Sequence, residues 1–454
     1  MDDTDAHDSG DTQHGDAALG RAWLDDTPWE LLSDLTAIGN RMGGSDGERR
    51  AADLVADAFR DAGLDDVHLH EFDTNRWTRG SASLDLLEPD ERAFETIALP
   101  YCPPGEVEGE LVDVGHGTPA EVDEADVDGK IAVASTTTPS GGRFVHRMEK
   151  FGHAVEAGAL GFVFVNHVAG QLPPTGALRF DEEADAIAVG VSKETGAWLT
   201  DYADRGGRVR LSVDARTDPA TSQNVLGSVG AASGEDDAGA DGDLLLLAHY
   251  DAHDIAEGAL DNGCGIAVVV AAARLLAQLD LDRRVRVAAV GCEETGLVGS
   301  EALADRLALD DVAAVVNVDG AGRFRDLVAM THTSESTADV ARTVADETGQ
   351  PIRVEPEPHP FSDQWPFVRR GVPSLQLHSD SGERGRGWAH TTADTRDKVD
   401  PRNLREHAML TALLVRELAA RDPARLDTDA LAAAFRDADF ERGMRAADLW
   451  PTAW

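Results

Sequence analysis

Between about residues 222 and 421, short and almost unbroken apolar runs alternate with longer stretches of helical periodicity. The runs at 243–248, 285–291, 313–318, 327–331 and 374–378 read as strands. Strands of this kind, apolar on both faces, are expected where helices cover both sides of a sheet. Helical spacing fills the gaps at 265–278, 299–306, 335–348, 361–370 and 402–420. That order predicts an α/β fold, a mostly parallel mixed sheet flanked by helices. In such sheets ligands sit beyond the carboxyl ends of the strands, so those ends are where chemistry is expected.

The residues at those ends are the chemically useful ones. His249 and Asp251 close the first run, and Asp261 follows in GALDNGCG just before a helix. The second run ends in Glu293-Glu294, the third in Asp319, and His390 lies in the loop GWAHTTADT. Each has a bland reading: an ordinary turn for the His-x-Asp pair, an N-cap for Asp261, a solvated surface for paired glutamates. Together they place nitrogen and oxygen donors on one edge of one sheet. A carboxylate and imidazole set without a thiolate set suits zinc, manganese or cobalt. Two such metals about 3.5–4 Å apart need a carboxylate between them, the layout of hydrolytic di-metal sites.

The set His249-Tyr-Asp251, Asp261-Asn262, Glu293-Glu294, Asn317-Val-Asp319 and Ala389-His390-Thr391 resembles the co-catalytic zinc aminopeptidases. This is metallopeptidase family 28, which also holds aminopeptidase Y, glutamate carboxypeptidase II and transferrin receptor. The likeness runs from about residue 28 to 421. It implies two zinc ions per chain, one on His249 and Asp319, the other on Glu294 and His390, with Asp261 bridging. It further implies that Asp251 fixes the tautomer of His249 and that Glu293, outside the metal shell, is the general base. In the family the peptide bond after the bridging Asp tends to be cis. The chain departs from several members at Ala389, where they carry an oxyanion-binding tyrosine, and at Gln364, where histidine is frequent. The implied activity is removal of N-terminal residues from peptides. The alternatives are a carboxypeptidase of the glutamate carboxypeptidase type and an inactive, transferrin-receptor-like binding protein. Relatives with a lid domain between the fourth and fifth ligands are disfavoured, because only 71 residues separate Asp319 from His390.

From 81 to 217 the pattern changes to short β-like runs broken by Pro and Gly, with one helical stretch at 146–157. VDGKIAV, EAGALGFVFVN and AVGVSKETGAWL resemble pieces of the family's protease-associated insert. None of the proposed ligands lies there, so the insert is expected to cover or shape the cleft. The expected domains are an acidic disordered tail (1–17), the catalytic domain in two parts (18–80 and 218–421), the insert (81–217) and a C-terminal extension (422–454).

Charge sets the environment. The formal net charge of −43 would repel a phosphate backbone and anionic membranes, which disfavours those partners; peptide substrates are what the resemblance implies. With only four lysines, Lys130, Lys150, Lys193 and Lys398, the composition resembles that of proteins from salt-accumulating archaea. At molar salt the Debye length falls to about 3 Å and the self-repulsion is screened. Three cysteines without CxxC spacing form no disulfide framework, and a cytoplasmic location is expected. Oligomeric state is not readable.

Overall fold

The computed structural model describes residues 17–230, 242–382 and 387–454. The acidic tail expected over 1–17, Ala17 apart, lies outside these residues.

The strands, in chain order, are β1 (Asp65–Glu88), β2 (Arg92–Phe94), β3 (Ile97–Ala98), β4 (Gly105–Asp113), β5 (Ile131–Ser135), β6 (Gly161–Val165) and β7 (Ile187–Val191). They continue with β8 (Arg208–Val229), β9 (Asp243–His249), β10 (Val285–Val290), β11 (Val312–Val318), β12 (Leu327–Met330), β13 (Ile352–Glu355) and β14 (Ser374–Ser379). All belong to one twisted sheet, in the order β13-β12-β14-β11-β9-β10-β8-β4-β5-β6-β7-β3, with β1 pairing β8 and β2 pairing β1.

Two long strands join two halves. β1 and β8, of 24 and 22 residues, pair antiparallel from Asp65–Ser228 to Glu88–Arg208. The C-terminal part of β8 adds to β10 of the catalytic half, and its first part adds to β4 of the insert. In the catalytic half β10, β9, β11 and β14 run parallel, and β12 lies antiparallel to β14. Every residue of β9 is buried, as its sequence LLLLAH requires of a central strand covered on both faces. On one face pack the helices Thr27–Thr36, Asp46–Asp61, Cys264–Leu276, Glu335–Thr348 and Pro401–Ala419. Cys264–Leu276 is apolar nearly all round because it lies inside this layer. The opposite face rests on Leu303, Ala304, Phe367 and Val372.

The insert has its own core on Leu111, Ile131, Phe151, Phe162, Val189 and Leu211. The single helix expected there is joined by two more. Besides Arg147–Glu156, helices form at Pro119–Glu124 and Lys193–Ala203. Thr118 with Glu121 makes a capping box and Ser192 caps the Thr195 N–H, start signals that are visible in T-P-A-E and S-K-E-T. β4, β5, β6 and β7 are parallel, so the insert repeats the strand-helix logic of the main sheet.

The helix expected at 361–370 is reduced to Trp365–Val368, because Ser362 and Gln364 are drawn into hydrogen bonds with the end of β11. The C-terminal extension forms helices Thr428–Asp437 and Glu441–Ala446. Phe435, Phe440, Met444 and Trp450 pack there with Phe361 and Trp365 of the catalytic half. The same segment meets the insert: Arg179 donates to the Ala446 carbonyl and Arg442 pairs with Asp123 at 2.8 Å. The extension therefore ties the two halves together.

Candidate metal centre

β9, β10 and β11 end side by side, and each places carboxylates or an imidazole at the same edge. His249 is the last residue of β9 and is fully buried. Asp251, two residues on, lies with Oδ1 3.3 Å from His249 Nδ1. Its two oxygens also accept the Glu293 and Glu294 N–H groups, each at 3.1 Å. One side chain thus orients the imidazole and clamps the turn that follows β10.

Asp261 is not the N-cap that its position suggests. The backbone kinks at Asp261 and Asn262, and the bond between them is cis. Asn262 Oδ1 takes the Gly265 and Gly320 N–H groups, both at 3.1 Å, which leaves the Asp261 carboxylate to the cleft. Asp394 holds the loop from behind, accepting from Leu260 N at 2.6 Å and Asp261 N at 3.1 Å. The two oxygens of Asp261 face different histidines: Oδ1 is 3.5 Å from His249 Nε2, and Oδ2 is 3.2 Å from His390 Nε2. Glu294 Oε2 lies 3.2 Å from His390 Nε2. Asp319 Oδ1 lies 3.9 Å from His249 Nε2, and Ser362 donates to its other oxygen at 2.7 Å.

The structure brings together all seven residues named from the sequence; five of them, joined by His253, form two trios whose donor atoms lie within 4.8 Å of one another. One is His249, Glu293 and Asp319; the other is His253, Glu294 and His390. Four residues of the site lie outside the set of ligands and catalytic groups named from the sequence: His253, Ser362, Arg323 and Thr175. Arg323 Nη2 donates to Asp261 at 2.9 Å and to Asp319 at 3.2 Å. Thr175, in the insert, accepts from His390 Nδ1 at 3.1 Å through its carbonyl and donates its N–H to the His390 carbonyl at 2.8 Å. That leaves His390 Nε2 to face Asp261 and Glu294. Through Thr175 the insert reaches the site and orients one of its residues.

Electrostatics follow from this crowding. Burial would depress His249, but Glu293, Asp251, Asp261 and Asp319 reverse the sign and raise it well above the ordinary range. Burial raises Glu293 well above the usual carboxylate range, with Glu294 and Asp319 adding to it and His249 opposing. Burial also raises Glu294. Asp261 is held low against its burial, by Arg323 and the two histidines. Burial pushes His253 down to about 3, so it is neutral and able to ligate.

The residues fit a metal pair. Among the described residues, buried His249 Nε2, Glu294 Oε1 and both ring nitrogens of His253 have no hydrogen-bond partner, which is rare for buried polar atoms. The donor set is nitrogen and carboxylate oxygen, and the cysteines are buried and free. Burial raises Cys264 and Cys292 far from thiolate character.

A sheet edge of this kind belongs to the metallohydrolases of α/β architecture. Residues 224–415 match the peptidase family M28 and residues 107–199 match the PA domain. Aminopeptidase YwaD of Bacillus subtilis (strain 168) is 28% identical over 413 residues, covering 87% of this chain and 85% of its own. Carboxypeptidase Q of Mus musculus is 24% identical, covering 86% and 85%. The solved structure of BSAP, a zinc aminopeptidase from Bacillus subtilis, superimposes with a TM-score of 0.67 at 26% identity, over 89% of this chain and 98% of that one. A peptidase M28 precursor from Shewanella amazonensis SB2B shares the fold at a TM-score of 0.76 and 22% identity, over 92% and 99%. Residues 224–415 thus fall in peptidase family M28, and residues 107–199 are a PA domain that precedes them in the chain. The protein is a hydrolase.

Proposed function

We propose that the protein is a di-zinc exopeptidase that removes residues from the amino end of peptides. The observation that carries this reading is Asp261, whose two oxygens face two separate donor groups while Glu293 stands beside them. His249 and Asp319 would hold one zinc, Glu294 and His390 the other, with Asp261 between. Bound there, the metals supply Lewis-acid polarisation of the scissile carbonyl and a nucleophile at neutral pH.

The chain's own groups do the rest. Glu293 takes the proton from the attacking water and returns it to the leaving amine. Asp251 holds His249 and fixes the backbone under Glu293 and Glu294, so base and ligand keep their places. Asp319 is steadied by Ser362, and Asn317 in turn donates to Ser362 Oγ at 2.8 Å. A cavity of about 340 Å³ opens beside His390, walled by Thr137, Phe144, Val145, Phe164 and Pro174 of the insert. Its mostly apolar wall suits the side chain of a terminal residue. Lys150, buried, supports that wall by donating to the Ser135 and Thr137 carbonyls at 2.7 and 2.6 Å. The net charge of −43 adds that the enzyme works in concentrated salt.

The likeness to carboxypeptidase Q favours a second reading, removal of residues from the carboxyl end. Blocked peptides separate the two. An aminopeptidase leaves N-acetylated peptides intact and cuts C-terminally amidated ones, and the reverse pattern would establish the carboxypeptidase.

A further inference from the structure

His253 lies in the turn after β9, four residues beyond His249, and only 4% of it is exposed. The turn is fastened from two sides. Arg41 donates to the carbonyls of Tyr250, Glu257 and Gly258, and Arg79 of β1 pairs with Asp254 at 2.6 Å. The imidazole is therefore set in place. Its Nε2 is 2.9 Å from Glu294 Oε2, and its ring meets that of His390 edge-on with centroids 4.5 Å apart. Among the described residues neither ring nitrogen has an aligned hydrogen-bond partner. Leaving a buried polar group in that state is costly, so a histidine aimed at a carboxylate and a second imidazole points to a ligand.

We propose that His253 is an additional ligand of the metal held by Glu294 and His390, an inference that rests on the di-metal reading above. That centre then draws on four protein side chains: His253, His390, Glu294 and one oxygen of Asp261. Donors around a tetrahedral zinc, each about 2.0–2.1 Å from the ion, stand roughly 3.3 Å apart. The observed separations of 2.9, 3.2 and 3.2 Å are close to that before any ion is bound. The other centre has His249, Asp319 and the second oxygen of Asp261, with Glu293 kept for the proton. Four protein ligands close a zinc site and three leave a position open. The two centres are thus unequal: the His253 centre is closed and tight, and the His249 centre is open to water and substrate. Arg323 reinforces the difference, since its guanidinium already rests on Asp261 Oδ1 and Asp319 Oδ1, on the open side.

X-ray absorption at the zinc edge tests this on full-length protein stripped of metal and reloaded with one equivalent of zinc. Two imidazoles per zinc are expected in wild type and one in His253→Gln. Chelator competition should show the first equivalent weakened at least about 10-fold in the variant, the size reported when a metal site loses a supporting group. Circular dichroism confirms that the variant is folded; if it is not, the wild-type imidazole count decides alone. A single imidazole in wild type, or unchanged scattering and affinity in folded His253→Gln, overturns the proposal. Wild type that binds no zinc overturns the di-metal reading itself, and the His253 assignment with it.

Discussion

The catalytic half and the insert both bury charge, but they treat it differently. At the sheet edge Glu48, Asp251, Asp261, Glu294, Asp319, Asp363 and Asp394 are all buried. The cations near them are few: Arg323 touches two of these carboxylates, while Arg41 spends its donors on carbonyls. In the insert the accounts close locally. Glu149 meets Arg143, Lys150 meets two carbonyls, and Arg147 donates to Ala177. An uncompensated buried carboxylate is unstable unless a cation or a proton joins it. The difference teaches that the catalytic half is built to be completed from outside, and that the insert completes itself.

Salt should have the largest effect, because it acts on both halves. The charge of −43 repels itself in dilute buffer and is screened in molar KCl. Dialysis into millimolar salt should abolish activity and cooperative structure by circular dichroism. Full retention of both would refute the halophilic reading.

The next effects separate the halves. Glu293→Gln removes only the proton acceptor, so both metals should stay while kcat drops by about 10²–10⁴-fold. Unchanged turnover would remove Glu293 as the base. In the insert, Arg143→Met strips the partner from fully buried Glu149, and breaking such a pair costs about 3–5 kcal/mol. That loss should appear in unfolding midpoints with zinc bound or absent. Chelation should do the converse: it should destabilise wild type by about 2.7 kcal/mol relative to zinc at a hundred times its Kd, and Asp261→Asn hardly at all. A midpoint shift on chelation as large in Asp261→Asn as in wild type would break the contrast.

What the sequence reveals follows the same division. Buried parallel strands are apolar on both faces, so β9, β10, β11 and β14 stand out, and the polar residues that end them stand out as well. β13 does not, and the long β1 and β8 show only as shorter β-like runs, since one face of each is half exposed and polar. The seven named site residues sit at strand ends or in a motif. Thr175 is invisible because its role depends on a partner far along the chain: 215 residues separate it from His390. His253 was the exception. In HYDAH it lies four residues from a named ligand, and that spacing was a usable signal.

The pH effect has opposite signs in the two halves. Burial raises Glu48 to about 8, aided by Asp251 nearby, whereas its unfolded value is about 4.3. Between those values the folded chain holds a proton that the unfolded chain lacks, so this group's stability is complete below about pH 4 and is lost as pH rises through 8. Burial lowers Lys150 to about 7, against about 10.4 when unfolded. There the unfolded chain holds the extra proton, so stability is complete above about pH 10 and is lost as pH falls through 7. Glu48→Gln should therefore gain on wild type in urea midpoint as pH climbs from 5 to 8. Lys150→Met should lose ground against wild type from pH 7 to 10. Denaturation series in molar KCl at four or five pH values read both slopes. Parallel curves for Lys150→Met and wild type would mean that the ammonium is solvated in the fold, and the insert would no longer contrast with the sheet edge.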